Sequence, residues 1–210
     1  MALQQNPRPL TGNHSPASHR GTAEQVAPDG TATRDETTGT ALLRTVAALR
    51  ILTSFTFLWA FFDKAFGWGY ATGAGNGWVD GGSPTMGFLS GVSAGPVEGT
   101  FHAWAGDAWA DWAFMLGLLG IGVALLSGIA LRPAALAGTA MMALMWAAEW
   151  PPARHLSDGA PSMSTNPIID YHVLYAAVLV LLAVALAGRT WGLGRAWARL
   201  PLVRENRWLL

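Results

Sequence analysis

Four long apolar runs divide the chain, at about residues 42–65, 109–130, 133–150 and 167–187. Each is near the ~20 residues that a helix rising ~1.5 Å per residue needs to cross a bilayer's hydrocarbon. The pattern predicts an all-α fold: a polytopic membrane four-helix bundle spanning residues 40–188. Residues 1–39 are rich in Pro, Ser, Thr, Gly and Gln without helical periodicity, and are expected to form a disordered tail rather than a secretory signal.

The links carry their own signals. In the long first link, Gly73-Ala74-Gly75-Asn76-Gly77 follows no strand and reads as a flexible turn, not a phosphate cradle. Ser83-Pro84 has the form of a helix start, followed by apolar Met86, Phe88, Leu89 and Val92. A second segment carries Val97, Phe101 and Trp104 at spacings of four and three. Both segments predict short amphipathic helices over the mouth of the bundle, or else a loop anchored by aromatics. Gly120, Ala124 and Gly128 in the second run would allow close helix approach. Pro133 suits a tight turn into the third run, and Asn166-Pro167 would cap the fourth. Residues 189–210 mix basic residues with Trp191, Leu193, Trp197, Leu200 and Trp208, the pattern of an amphipathic helix on a membrane surface or of a partner-docking segment.

Composition agrees with the membrane class. The chain is 51% hydrophobic and 12% charged, against about 25% charged for soluble domains. Its formal net charge is zero, and no nucleic-acid partner is expected. The absence of cysteine excludes disulfides, thiolate nucleophiles and cysteine-ligated iron–sulfur clusters on this polypeptide. Arg44 and Arg50, Arg132, and the arginines from Arg189 to Arg207 lie on one side of the bundle, whereas the first link has no Lys or Arg. The positive-inside rule therefore predicts a multi-pass cell-membrane protein with both termini cytoplasmic. Trp68, Trp104, Trp109, Trp112 and Trp150 fall near the expected outer boundary, and Trp191 and Trp197 near the inner one.

Charge inside such a bundle needs a reason, because it costs a few kcal/mol on insertion scales. Asp63 and Lys64 close the first run, Glu149 closes the third, and Asp170 and His172 open the fourth, all at the outer end. Lys64 either snorkels to headgroups or points inward as a cation and donor. Glu149 gains nothing from the negative end of its helix, which favours pairing with Lys64. Asp170 suits a helix N-terminus, and His172 could share an inward face with Tyr175. Arg50 would snorkel to cytoplasmic phosphates.

No haem clamp can be built from His172 alone, no flavin or nicotinamide fingerprint is present, and no metal site is expected. A polar cluster beneath an apolar roof would suit a quinone. The ring would lie between Phe57, Trp59 and Trp146, while Lys64, His172 or Asp170 contacts a carbonyl and passes protons. Asp63, Glu149 and Tyr171 complete the candidate ligand-binding set.

These same residues carry a family resemblance. The run Leu49-Arg50-Ile51 leading into Phe61-Phe62-Asp63-Lys64-Ala65-Phe66-Gly67 resembles the first span of the DoxX/DoxD family. The stretch Asn166-Pro167-Ile168-Ile169-Asp170-Tyr171-His172, with Ala187-Gly188-Arg189-Thr190-Trp191-Gly192-Leu193-Gly194, is similar to its fourth span and exit. The resemblance implies a four-helix integral membrane protein. Some members are subunits of thiosulfate:quinone oxidoreductase, which oxidises thiosulfate to tetrathionate and reduces membrane quinone; others look like membrane partners of redox proteins. The lack of cysteine counts against a thiol relay. The expectations are then a thiosulfate dehydrogenase (quinone) subunit with quinone as cofactor, or a non-catalytic scaffold holding a partner redox protein at the lipid bilayer. A small transporter fits less well, since no internal repeat is visible and oligomerisation would be needed.

Overall fold

A computed structural model describes the backbone over residues 30–210 and the side chains over 36–210. Residues 1–29, most of the expected tail, lie outside the described residues. The described chain is all-helical, without a β-strand. Its helices are α1 (Gly30–Phe66), α2 (Met86–Ser90), α3 (Glu98–Trp104), α4 (Ala108–Ser127), α5 (Leu131–Glu149), α6 (Tyr171–Val184), α7 (Gly194–Trp197) and α8 (Pro201–Glu205). Helix α1 thus begins ahead of the first apolar run, inside the stretch expected to be disordered.

Three helices are long and apolar enough to cross a membrane: Glu36–Phe66 of α1, α4 and α5. The fourth apolar run is helical over only 14 residues. Asn166 does not cap it. Its Oδ1 instead accepts the backbone N–H groups of Ile168 and Ile169, both at 2.9 Å, closing a turn before the helix. Asp170 is the N-cap, accepting from the N–H groups of His172 and Val173. At the far end Leu186 takes a left-handed backbone, φ 49°, and the helix stops.

The helices pack in series, α1 on α4, α4 on α5 and α5 on α6. In α1 the inward stripe runs Ala47, Arg50, Ser54, Phe57 and Ala65, at helical spacings of three and four plus one gap of eight. Phe57, Met115, Leu118, Leu125, Met142 and Leu182 share one core. Large apolar side chains remain exposed on the outside of every long helix, among them Leu52, Leu116, Leu136 and Val184. Such helices are compatible with lipid contact, the one solvent in which that exposure has no cost.

The small-residue stripe does not work as its spacing suggests. A Cβ on Gly120 would meet open space. The close approaches are at Gly122, against Leu58 of α1, and at Gly138, against Leu179 of α6. Gly128 ends α4 with φ 74° and lies against Gly188, where a side chain on either residue would overlap backbone of the other.

That glycine contact surrounds Arg50, which does not snorkel. Arg50 is fully buried and donates to the carbonyls of Leu125, Leu126 (2.7 Å) and Trp191 (2.8 Å). The last carbonyls of a helix have no partner of their own and carry its negative dipole end, so a cation there satisfies both needs. The residues after α6 are drawn in by the same contact. They form short helices and turns rather than one surface helix, because Gly188, Gly192, Gly194 and Pro201 interrupt any longer one. Val203 is buried, Arg132 holds Leu210 and Arg207 through their carbonyls, and the Trp197 indole donates to Leu209.

Arg50→Met is expected to destabilise the detergent-solubilised protein by about 3 kcal/mol, since the Leu126 and Trp191 carbonyls lose their donor and that of Leu125 keeps only the Gly128 N–H. Thermal unfolding measures this. Arg50→Lys should recover only part of the loss, because an ammonium cannot span the same three acceptors.

Candidate functional site

The five ionisable residues gathered at the ends of α1 and α5 and the start of α6 are used in three separate ways. Asp63 is buried, and its carboxylate is a backbone clamp. Oδ1 accepts from Tyr70 N–H at 3.2 Å, and Oδ2 from Ala71 and Thr72 N–H at 2.9 Å each. These amides have no other strand or helix to bond, so the carboxylate folds the start of the first link back on α1. As a ligand contact Asp63 is therefore spent.

Glu149, Tyr171, Asp170 and His172 form a second group where α5 ends beside the start of α6. Asp170 Oδ2 accepts from His172 Nδ1 at 2.8 Å, the sole ion pair among the described residues. His172 is 1% exposed, and its Nε2 has no partner. The Tyr171 hydroxyl donates to Glu149, so Glu149 pairs with the tyrosine and not with Lys64. Trp146 of α5 donates its indole N–H to Ile168 O at 3.0 Å and packs on Trp150, fixing the approach to α6. Glu149, Asp170 and His172 each offer one donor atom within 4.8 Å of the others, so these residues could hold a divalent cation.

Lys64 goes elsewhere. It lines a cavity of about 370 Å³ between α4 and α5, roofed by α2 and α3. Its ammonium lies over the Phe114 ring, 5.8 Å from the centroid. Phe88, Trp104, Trp109, Met141 and Leu144 make much of the remaining wall. Neither Asp63, Glu149, Asp170 nor His172 lines it. The expected single pocket is thus two sites, because helical rotation turns consecutive residues about 100° apart and the two ends of α5 and α6 meet on another side.

The aromatic cradle also differs from expectation. Phe57 is in the core. Trp59 is partly exposed and packs against Phe55, Trp68 and Tyr70 on the outer face of α1. Neither reaches the cavity. Its ring walls come instead from α2, α3 and the start of α4.

The roof is held by a carboxylate that the sequence pattern does not single out. Asp111, in the first turn of α4, is buried and accepts from Ser83 Oγ at 2.9 Å, Thr85 N–H at 2.9 Å and Thr85 Oγ1 at 2.6 Å. Ser83 Oγ in turn accepts from Met86 N–H at 3.1 Å, but the N-cap of α2 is Thr85, so Ser83-Pro84 precedes the helix instead of opening it as its cap and first turn. The amphipathic segments form two helices, and Phe101 of α3 is buried with Val92 and Ala148. A charge in an otherwise apolar first turn is the one signal in the sequence that points to Asp111.

No family model, curated protein or solved structure matches the chain.

Asp63→Asn should lower stability by about 1–3 kcal/mol, because an amide offers one acceptor oxygen where the carboxylate offers two. Hydrogen exchange at the amides of Tyr70, Ala71 and Thr72 should rise. Lys64→Ala should leave those amides protected, since Lys64 takes no part in the clamp.

Proposed function

We propose that the chain is an integral membrane protein, a four-helix bundle with cytoplasmic termini, and that it serves as the quinone-binding subunit of a membrane oxidoreductase. The observation that carries this reading is the cavity at Lys64. It is apolar, walled by aromatic rings and supplied with one cationic donor on a flexible stem. A quinone presents a flat ring, carbonyl acceptors and an apolar tail, and each has a counterpart there. Lys64 is assigned the carbonyl contact, and Phe114, Trp104 and Trp109 the ring. The positive head of Lys64 would favour the charge that builds on a carbonyl oxygen as electrons arrive.

The resemblance to the DoxX/DoxD family adds thiosulfate as the electron donor: two thiosulfates lose two electrons and join as tetrathionate, while the quinone takes two electrons and two protons. His172 and Asp170 do not line the cavity, so no proton-transfer step to the quinone is assigned to them. A second reading, a non-catalytic anchor for a redox partner, is favoured by one observation. Asp111 ties the start of α2 to α4 through Ser83 and Thr85, and Phe101 of α3 is buried with Val92 and Ala148, which builds a ledge from α2 and α3 that a partner could use.

A short-tailed quinone titrated into the purified protein should quench tryptophan fluorescence to saturation, since Trp104 and Trp109 lie in the wall. Lys64→Met should weaken that binding about 10-fold, the loss of roughly one charge-assisted hydrogen bond. Trp59→Phe should not change the affinity. Non-saturable quenching, or an affinity indifferent to Lys64, would leave the anchor reading alone.

A further inference from the structure

Lys64 is a cation with no carboxylate in direct contact, and Asp63 acts on it only through its charge. It makes no hydrogen bond or ion pair with any described residue, and the sole ion pair there is His172 with Asp170. Each carboxylate that could answer it is engaged. Asp63, its neighbour, spends both oxygens on three loop amides. Glu149 receives the Tyr171 hydroxyl. Asp111 receives Ser83 and Thr85. The Phe114 ring offers partial compensation through its face, but a ring is not a full charge.

The usual escape for such a lysine is to snorkel into water or headgroups. Here Thr85, Phe88 and Trp104 of the roof line the same cavity as Lys64. The polar atoms that remain nearby do not replace the missing anion. The Thr85 hydroxyl is already donated to Asp111, and the Trp109 indole N–H to Asp107 at 3.1 Å. The cavity therefore presents unused donors, concentrated on one ammonium, at one end of an apolar slot. An occupant that completes it brings an anionic oxygen to Lys64 and an apolar tail to Met141 and Leu144. The volume, about 370 Å³, is near the low end of the roughly 300–1,000 Å³ of small-molecule sites, which suits one tail rather than two.

We infer that the cavity selects single-tailed amphiphiles with an anionic oxygen head, of which a fatty carboxylate is the simplest, and that Lys64 is the selecting residue. This rests on the cavity being a ligand site, as in the quinone reading, but not on any redox reaction.

The experiment compares three probes on the full chain in mild non-ionic detergent: dodecanoate, dodecanol and a neutral short-tailed quinone, read by calorimetry at neutral pH. Dodecanoate should bind about 10-fold or more tightly than dodecanol, the margin expected of a charge-assisted bond. That preference should shrink to about twofold or less in Lys64→Met and persist in Lys64→Arg. Equal affinity of the native protein for the acid and the alcohol overturns the inference without need of any variant. So does a preference that survives Lys64→Met. If dodecanoate binds in this way and the quinone does not bind at all, the quinone reading fails and this one stands. Binding of the quinone with no acid preference overturns the selection of anionic heads and keeps the quinone reading.

Discussion

A polar or ionised group set among apolar helices has no water to turn to, so its partners must come from the protein itself. Nearly every polar group buried along these helices obeys that demand by meeting backbone. Arg50 takes two carbonyls of the last turn of α4 and one from the segment after α6. Asp63 takes three loop amides, Asp111 takes Thr85 and Ser83, and Asp170 takes the first amides of α6. In each case a side chain supplies what a helix end or a loop lacks, and the chain bends to where the side chain is.

The architecture follows from these pairings. Arg50 gathers α1, α4 and the C-terminal segment at one end, and the contact of Gly128 with Gly188 lets backbone come close enough for one guanidinium to reach all three carbonyls. At the other end Asp63 and Asp111 place the first link over α4 and α5, while Trp146, Tyr171 and Asp170 set the angle at which the chain enters α6. The short helices α2 and α3 become a roof only because their attachment points are fixed in this way.

Lys64 departs from this pattern: half-buried, it bonds none of the described residues and lies in the cavity wall. Two polar sites result, separated by the rotation of the helices that carry them. The junction of α5 and α6 satisfies most of its groups internally, leaving His172 Nε2 buried without a partner. The cavity leaves a cation for something else to answer. The function we propose uses the second, where a half-buried cation without a bonded partner lies among apolar walls that a ligand could fill.

Much of this is legible in the order of residues. The long apolar runs, the two short helices of the first link and the tight turn between α4 and α5 depend on periodicity, caps and glycine placement, which act over a few residues and so can be read along the chain. Asp170 at a helix N-terminus and the inward face shared by His172 and Tyr175 are visible for the same reason. What could not be read is which partner each charge would choose. Arg50 could have reached headgroups, Glu149 could have met Lys64, and Gly120 could have faced a neighbour; the outcome turned on how far each helix is rotated about its axis. That rotation is set by packing against helices distant in sequence, at Leu58 on Gly122 and Leu179 on Gly138. The order of residues thus determined the helices and the end at which charge collects. Only the assembled helices decided that Asp63 and Lys64, adjacent in the chain and about 100° apart on one helix, would face a loop and a cavity respectively.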